Sequence, residues 1–130
     1  MKTLTIRWQR LVNEAGQTCN RCRDTGETIE TAFKKLQKAL AELGIQARLE
    51  SETIDFSAFR KDPIQSNRIW ISERPLEEWL GAGVGQSQCC SVCGDSECRT
   101  LLMGRNTFET IPEELIIRAG LLAAAELLAE

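Results

Sequence analysis

The chain has 130 residues, of which 42% are hydrophobic and 27% are charged, and its net charge is −3. This length suits a single domain, residues 1 to 130, with one buried core, and the composition excludes an intrinsically disordered chain. A net negative charge argues against binding to a phosphate backbone, so nucleic acid is not an expected partner.

The first segment, "LTIRWQRLV", predicts a strand. Leu4, Ile6 and Trp8 recur at every second position, which is the period of a half-buried strand. A signal peptide would need an unbroken apolar run here, so we expect a cytoplasmic protein. The most apolar stretch, "LIIRAGLLAAAELLAE", is interrupted by charges and falls short of the ~20 residues of a membrane span, so no membrane partner is expected.

A helix and a second strand are predicted next. In "IQARLE", Ile45, Ala47 and Leu49 alternate with polar residues, which indicates a strand directly after the helix. A strand, helix, strand unit implies a right-handed parallel crossover. The helix itself is predicted to end at Gly44 because apolar residues recur at three- and four-residue steps up to that point. These residues are Ile29, Ala32, Phe33, Leu36, Leu40 and Leu43.

Shorter patterns fill the middle of the chain. "DFSAFRKDP" predicts only a short helix, because Pro63 disfavours helical geometry at Asp62. "RIWI" predicts a third strand. Residues 75 to 80 fit either a strand or a short helix, and "GAGVGQSQ" is interpreted as a glycine-rich loop that leads into the cysteines.

The C-terminal segment predicts a hairpin and a final helix. Gly104-Arg105-Asn106 separates two strand-like runs and has the composition of a tight turn. The helix should begin at Pro112, because acidic residues then occupy its first turn and complement the helix dipole. Its buried face is predicted to contain Leu115, Ile116, Ala119, Leu122, Ala123 and Leu127.

Six cysteines carry the candidate chemistry of this chain, which contains no histidine. The absence of imidazole excludes Ser-His and Cys-His nucleophile pairs and every zinc site that uses histidine. In a reducing compartment, cysteines point to redox chemistry or metal binding more than to structural disulfides. They form two groups: Cys19 with Cys22, and Cys89, Cys90, Cys93 and Cys98.

The first group, Cys19-Asn-Arg-Cys22, lies between the predicted first strand and first helix. A thiolate is the species that attacks a disulfide, and a helix N-terminus and cationic neighbours such as Arg21 and Arg23 favour it. We therefore interpret the pair as the dithiol of a thiol-disulfide oxidoreductase. The alternative is one half of a structural zinc site, because an isolated Cys-x-x-Cys is a common pattern.

The second group supplies four thiols within ten residues, enough for tetrahedral zinc. Adjacent ligands such as Cys89 and Cys90 point apart in an extended chain, so a site built from this group alone would be strained. Cys90-x-x-Cys93 could instead share a zinc ion with Cys19 and Cys22, or the group could be a second dithiol that exchanges with the first. Capture of a thiophilic ion such as arsenic(III) or mercury(II) is the third interpretation, and all three stay open.

The order of elements resembles the thioredoxin superfamily, and within it a small uncharacterised family with a C-terminal cysteine cluster. The resemblance rests on "TCNRC" after the first strand, on "NRIWISERPLEEWL" at the third strand, and on the final helix. It implies an α/β three-layer fold with a mixed sheet, flanking helices and a Cys-rich loop insertion, in which the third strand runs antiparallel to the first. It also implies that Cys19 is the nucleophile and Cys22 the resolving thiol.

Two positions depart from the superfamily pattern. "RDTG" is expected to delay the start of the first helix beyond the cysteines, and Ser66-Asn67 stands where the superfamily has a cis-proline. We further expect the loop of Cys89 to Cys98 to lie at the same end of the sheet as Cys19. This requires residues 75 to 80 to extend back across the sheet by ~20 Å.

The leading hypothesis is a thiol-disulfide oxidoreductase that acts on a protein or small-molecule disulfide and requires no cofactor. The alternative is a non-enzymatic metal-thiolate module, whose ligand would be zinc or a thiophilic ion such as arsenic(III) or mercury(II).

Overall fold

The computed structural model describes residues 2–12, 20–62, 65–88 and 97–130. Two sheets and a set of helices account for most of these residues. Their order is β1 (Lys2–Leu11), α1 (Asn20–Ala41), β2 (Ile45–Ile54), α2 (Phe56–Lys61), β3 (Arg68–Ile71), β4 (Arg74–Pro75), α3 (Leu76–Leu80), β5 (Gly83–Gln88), β6 (Glu97–Met103), β7 (Asn106–Phe108) and α4 (Glu113–Leu128).

The larger sheet is mixed, with strand order β2-β1-β3-β4. β1 and β2 are parallel and stay in register from Lys2↔Ile45 to Leu11↔Ile54, which confirms the predicted parallel pairing of the first two strands. β3 is antiparallel to β1, as expected for the third strand. β2 continues beyond Glu50, where its apolar alternation stops, because backbone pairing with β1 continues to the end of that strand.

Helices α1 and α4 cover one face of the larger sheet. They contact each other, while α1 also contacts β2 and α4 contacts β1 and β3. Gly120 allows the close approach of the two helices, since a Cβ there would lie 2.6 Å from Leu36 Cδ1. The core between helices and sheet contains Leu4, Ile6, Trp8, Ile29, Ala32, Leu36, Leu40, Ile69, Ile71, Leu115, Ile116, Ala119 and Ala123.

Some residues that were predicted to lie in the core are not fully buried. Leu122 is 45% exposed and Leu43 is 48% exposed, while Phe33 and Leu127 are only partly buried. In α4 the physical reason is that small residues face α1, so the bulkier Leu122 lies away from that contact. Leu43 follows the last residue of α1 and sits in the turn before β2.

Helix α1 begins at Asn20, so the expectation that "RDTG" delays the helix is wrong. Gly26 lies within α1, where it faces the indole of Trp8. A Cβ at this position would approach Trp8 Cη2 to 2.7 Å. The glycine therefore permits close packing of helix on strand and does not interrupt the helix, and Cys22 is a helical residue.

The segment after β2 follows the sequence prediction more closely. Asp55 is the N-cap of α2, and its carboxylate accepts a hydrogen bond of 2.8 Å from Ala58 N. The helix ends before Asp62, which has an extended backbone with φ of −152°, as expected for a residue ahead of proline. β3 coincides with the predicted "RIWI" strand.

Residues 75 to 80, left open between strand and helix, form mainly the short helix α3. Gly81, with φ of 64°, ends it in a left-handed conformation. A helix advances only about 1.5 Å per residue, so the expected extended crossing of ~20 Å by this segment is wrong. No helix in the described ranges is long and apolar enough to cross a membrane.

The smaller sheet has strand order β5-β6-β7, with both pairs antiparallel. The hairpin between β6 and β7 confirms the predicted turn, in which Gly104 has φ of 62°. The prediction of a loop over "GAGVGQSQ" is wrong, because six of its residues form β5. Gly85 pairs with Thr100, and a Cβ on Gly85 would lie 2.9 Å from Thr100 Oγ1, so close packing explains this strand glycine.

Candidate functional site

The structure describes one candidate thiol from each cysteine group. Cys22 lies in the first turn of α1 and is 1% exposed. Cys98 is the second residue of β6, is also 1% exposed, and is disulfide-bonded. Four further predicted site residues lie outside the described residues: Cys19, Cys89, Cys90 and Cys93.

Helix α1 starts at the end of the larger sheet where β1 finishes. Because β3 runs antiparallel to β1, with Gln9 opposite Arg68, the residues just before β3 lie at this same end. Asn67, which directly precedes β3, contacts the second turn of α1 through its side chain. The N-terminal part of α1, which carries Cys22 in its first turn, and the turn before β3 are therefore neighbours.

A buried hydrogen-bond network joins these segments, and we call it the Thr25 hub. Trp8 Nε1 donates to Asn67 Oδ1 at 2.9 Å, and Asn67 Nδ2 donates to Thr25 Oγ1 at 3.0 Å. The backbone N–H of Ile111 donates to the same Thr25 oxygen at 3.2 Å. Thr25 is 0% and Asn67 2% exposed. The hub thus links β1, α1, the turn before β3 and the segment before α4.

Asn67 lies just before β3, at the position where the thioredoxin superfamily has a cis-proline. Its φ is +55°, and no cis peptide bond occurs within the described ranges. Asparagine tolerates left-handed backbone geometry better than most residues, and its amide both accepts and donates in the hub. Sequence reasoning registered the missing proline here and missed the polar role of Asn67.

A cleft adjoins the Thr25 hub and shares Asn67 and Ile111 with it. Its enclosed part measures about 10 Å³, the space of about one water molecule. Thr100 is one of the residues that line this cleft, and its Oγ1 atom is buried and has no hydrogen-bond partner among the described residues. The cleft is lined by Asn67, Ile69, Leu76, Glu77, Arg99, Thr100, Leu101, Glu109 and Ile111.

Arg99 and Glu77 form a buried ion pair in this cleft. The Arg99 Nη2 atom is 2.5 Å from Glu77 Oε1, and the two side chains are 8% and 15% exposed. Burial lowers the pKa of Arg99, while the Glu77 carboxylate opposes this effect by favouring the charged guanidinium. A buried charged group with a shifted pKa in a cleft marks a candidate functional site.

Each described cysteine lies next to a residue of the Thr25 hub or of the cleft, and these two features share Asn67 and Ile111. Cys22 precedes Thr25 by one helical turn, and Cys98 directly precedes Arg99 in β6. The expected proximity of the whole loop to Cys19 lies outside the described residues and stays a prediction. Within the described part of the chain, no three cysteine, aspartate or glutamate side chains converge into a metal-binding group.

Comparison with known proteins gives a family and a relative. An uncharacterized protein of Archaeoglobus fulgidus is 41% identical over 113 residues, which cover 87% of this chain and 82% of that protein. No solved structure matches the chain. A model of the family described as "Domain of unknown function (DUF2703)" matches residues 4–120, which contain the hub, the cleft and all six cysteines. The chain therefore belongs to the DUF2703 family.

Proposed function

We propose that this chain is a thioredoxin-like thiol-disulfide oxidoreductase whose dithiol is Cys19 and Cys22. The observation that carries the proposal is the burial of Cys22 in the first turn of α1, the helix that follows the central strand β1 in the order of described elements. The antiparallel third strand and the packing of α1 and α4 on one face support the thioredoxin-like assignment.

The proposed cycle consists of two exchange steps. The Cys19 thiolate attacks one sulfur of a substrate disulfide, forms a mixed disulfide, and releases the first substrate thiolate, which takes up a proton. The Cys22 thiolate then attacks the Cys19 sulfur, so that the mixed disulfide breaks, the intramolecular disulfide forms, and the second substrate thiolate leaves. The substrate is reduced to two thiols, and an external dithiol reductant returns the protein to its starting state.

The burial of Cys22 supports its role as the resolving thiol. A substrate disulfide cannot reach a side chain that is 1% exposed, whereas a sulfur already attached to Cys19 would be delivered by the protein itself. Free backbone N–H groups in the first turn of a helix favour a thiolate nearby. The exposed Arg23 adds positive charge to this turn, although its Nε atom also lies 3.5 Å from Asp24.

The second cysteine group is proposed to be a redox relay. Cys98 is disulfide-bonded, and a sulfur in a disulfide is not a thiolate ligand for zinc. This favours exchange between dithiols over a metal site that includes Cys98. The substrate class is a protein or small-molecule disulfide, and the chemistry needs no cofactor.

A trapping experiment tests this proposal. Reduced protein is treated with cystine, and products are identified by intact-mass and peptide mass spectrometry. In the wild type, the peptide that contains Cys19 and Cys22 should lose two hydrogens as the two thiols close into a disulfide, whereas Cys22→Ser should retain half of the cystine on Cys19. Cys19→Ser, the matched control, should form no adduct at the buried Cys22 within the same time.

Metal analysis of protein purified under reducing conditions tests the alternative, a metal-thiolate module. Stoichiometric zinc that resists dialysis, and whose removal by a chelator unfolds the protein, would overturn the redox proposal in favour of a metal-thiolate module. A metal-free wild type that cycles between dithiol and disulfide would support the enzyme.

A further inference from the structure

Thr25 and Cys22 lie on the same face of helix α1, so the position of one depends on the position of the other. Residues three apart in a helix lie on the same face, and Cys22 and Thr25 are both buried, at 1% and 0% exposure. Whatever holds Thr25 against the sheet therefore also fixes the first turn of α1. The hydrogen bonds of the Thr25 hub provide that restraint.

The Thr25 oxygen is used fully as an acceptor. A hydroxyl oxygen has two lone pairs, and those of Thr25 accept from Asn67 Nδ2 at 3.0 Å and from Ile111 N at 3.2 Å. The two donors belong to segments far apart in the sequence, before β3 and before α4. Thr28 strengthens the second connection, because its hydroxyl donates to Ile111 O at 2.7 Å.

The Thr25 hub costs more free energy to form than apolar packing of the same space would. Asn67 holds a left-handed backbone, with φ of +55°, and three polar side chains are buried where apolar ones would need no partners. A satisfied polar network, unlike apolar packing, specifies one relative position of its members. The hub thus fixes geometry more than it adds stability.

We propose that Thr25 is a positioning residue for the Cys22 thiol, an inference that rests on the proposed dithiol function. A disulfide closes only when the two Cα atoms lie within about 7 Å of each other, so the resolving step depends on where the first turn of α1 is held. Loosening the hub should expose Cys22 to solvent and make closure of the dithiol less favourable.

The test compares Thr25→Val, which removes the acceptor, with Thr25→Ser, which keeps it. Two quantities are measured: the alkylation rate of Cys22 by iodoacetamide in reduced native protein, and the equilibrium constant for oxidation of the dithiol against dithiothreitol. Thr25→Val should raise the alkylation rate and lower the oxidation constant, each by about tenfold, the effect of about one lost hydrogen bond. Thr25→Ser should stay within about threefold of the wild type.

Two controls separate positioning from general loss of stability. Thr31→Val makes the same chemical change at an exposed helical residue whose hydroxyl bonds only locally, to Glu27 O, and should leave both quantities unchanged. Ile116→Val lowers stability from a buried site in α4 whose apolar side chain takes no part in the hydrogen bonds of the hub. The inference is overturned if Thr25→Val and Ile116→Val, compared at equal loss of stability, change the two quantities equally.

A second hub variant keeps the inference testable if Thr25→Val does not fold. Asn67→Gly tolerates the positive φ and removes the donor to Thr25, so it should change both quantities in the same direction. Unchanged alkylation in a folded Asn67→Gly protein would overturn the inference. A wild type that never closes the dithiol would overturn the proposed function, while the alkylation rates would still decide whether Thr25 controls Cys22.

Discussion

Arg99 and Glu77 show how two side chains can connect the smaller sheet to the rest of the molecule. Arg99 belongs to β6 and Glu77 to α3, and their pair is almost fully removed from solvent. Removing one partner of a buried pair leaves an uncompensated charge, which costs far more than the loss of an exposed pair. The pair is therefore more important for integrity than its single short contact suggests.

We expect Glu77→Ala to lower the free energy of unfolding by about 3–5 kcal/mol, measured by urea denaturation. The matched control is Glu126→Ala, which removes an exposed partner of Arg74, where both side chains are about half exposed. That variant should lose less than about 1 kcal/mol. Equal losses in the two variants would mean that the Arg99–Glu77 pair is solvated in solution.

Helix α1 illustrates which part of an element periodicity can predict. Apolar residues spaced three and four apart from Ile29 to Leu40 predicted its buried face, and four of the five predicted residues in that range are buried. Periodicity could not find its start, because Gly26 looks like a helix breaker until the Trp8 indole is seen against it. Periodicity also predicted Leu43 to belong to the buried face, because this apolar residue of the following turn happens to continue the helical spacing.

Two leucines of this predicted face provide a matched test of the helix packing. Leu36 is 1% and Leu43 48% exposed. Leu36→Ala should lower the free energy of unfolding by about 2–5 kcal/mol, because it leaves a cavity between α1 and α4. Leu43→Ala should change it by no more than about 0.5 kcal/mol. Similar losses in both, measured by thermal or urea unfolding, would contradict the position of α1.

At the scale of the whole molecule, the sequence predicts local elements better than the contacts between distant segments. The larger sheet, its crossover and the final helix follow from patterns within single segments. The Thr25 hub joins residues more than forty positions apart, and Arg99 meets Glu77 across a gap of 22 residues. No local pattern marks such partners, and a polar residue that is satisfied in the core looks the same in sequence as one in solvent.

The cysteines offer a final test of the molecule as a whole, because burial and helix position predict an order of reactivity. Cys22 and Cys98 are each 1% exposed, so even in fully reduced native protein both should be alkylated slowly. Cys19, immediately ahead of the first residue of α1, is predicted to react first, because a helix N-terminus favours the thiolate that attacks iodoacetamide. A limiting dose of reagent at neutral pH, followed by peptide mapping, measures this order, with urea-unfolded protein as the control in which the differences should vanish. Earlier labelling of Cys22 would contradict its burial, and earlier labelling of Cys89, Cys90 or Cys93 would move the nucleophile to the second group.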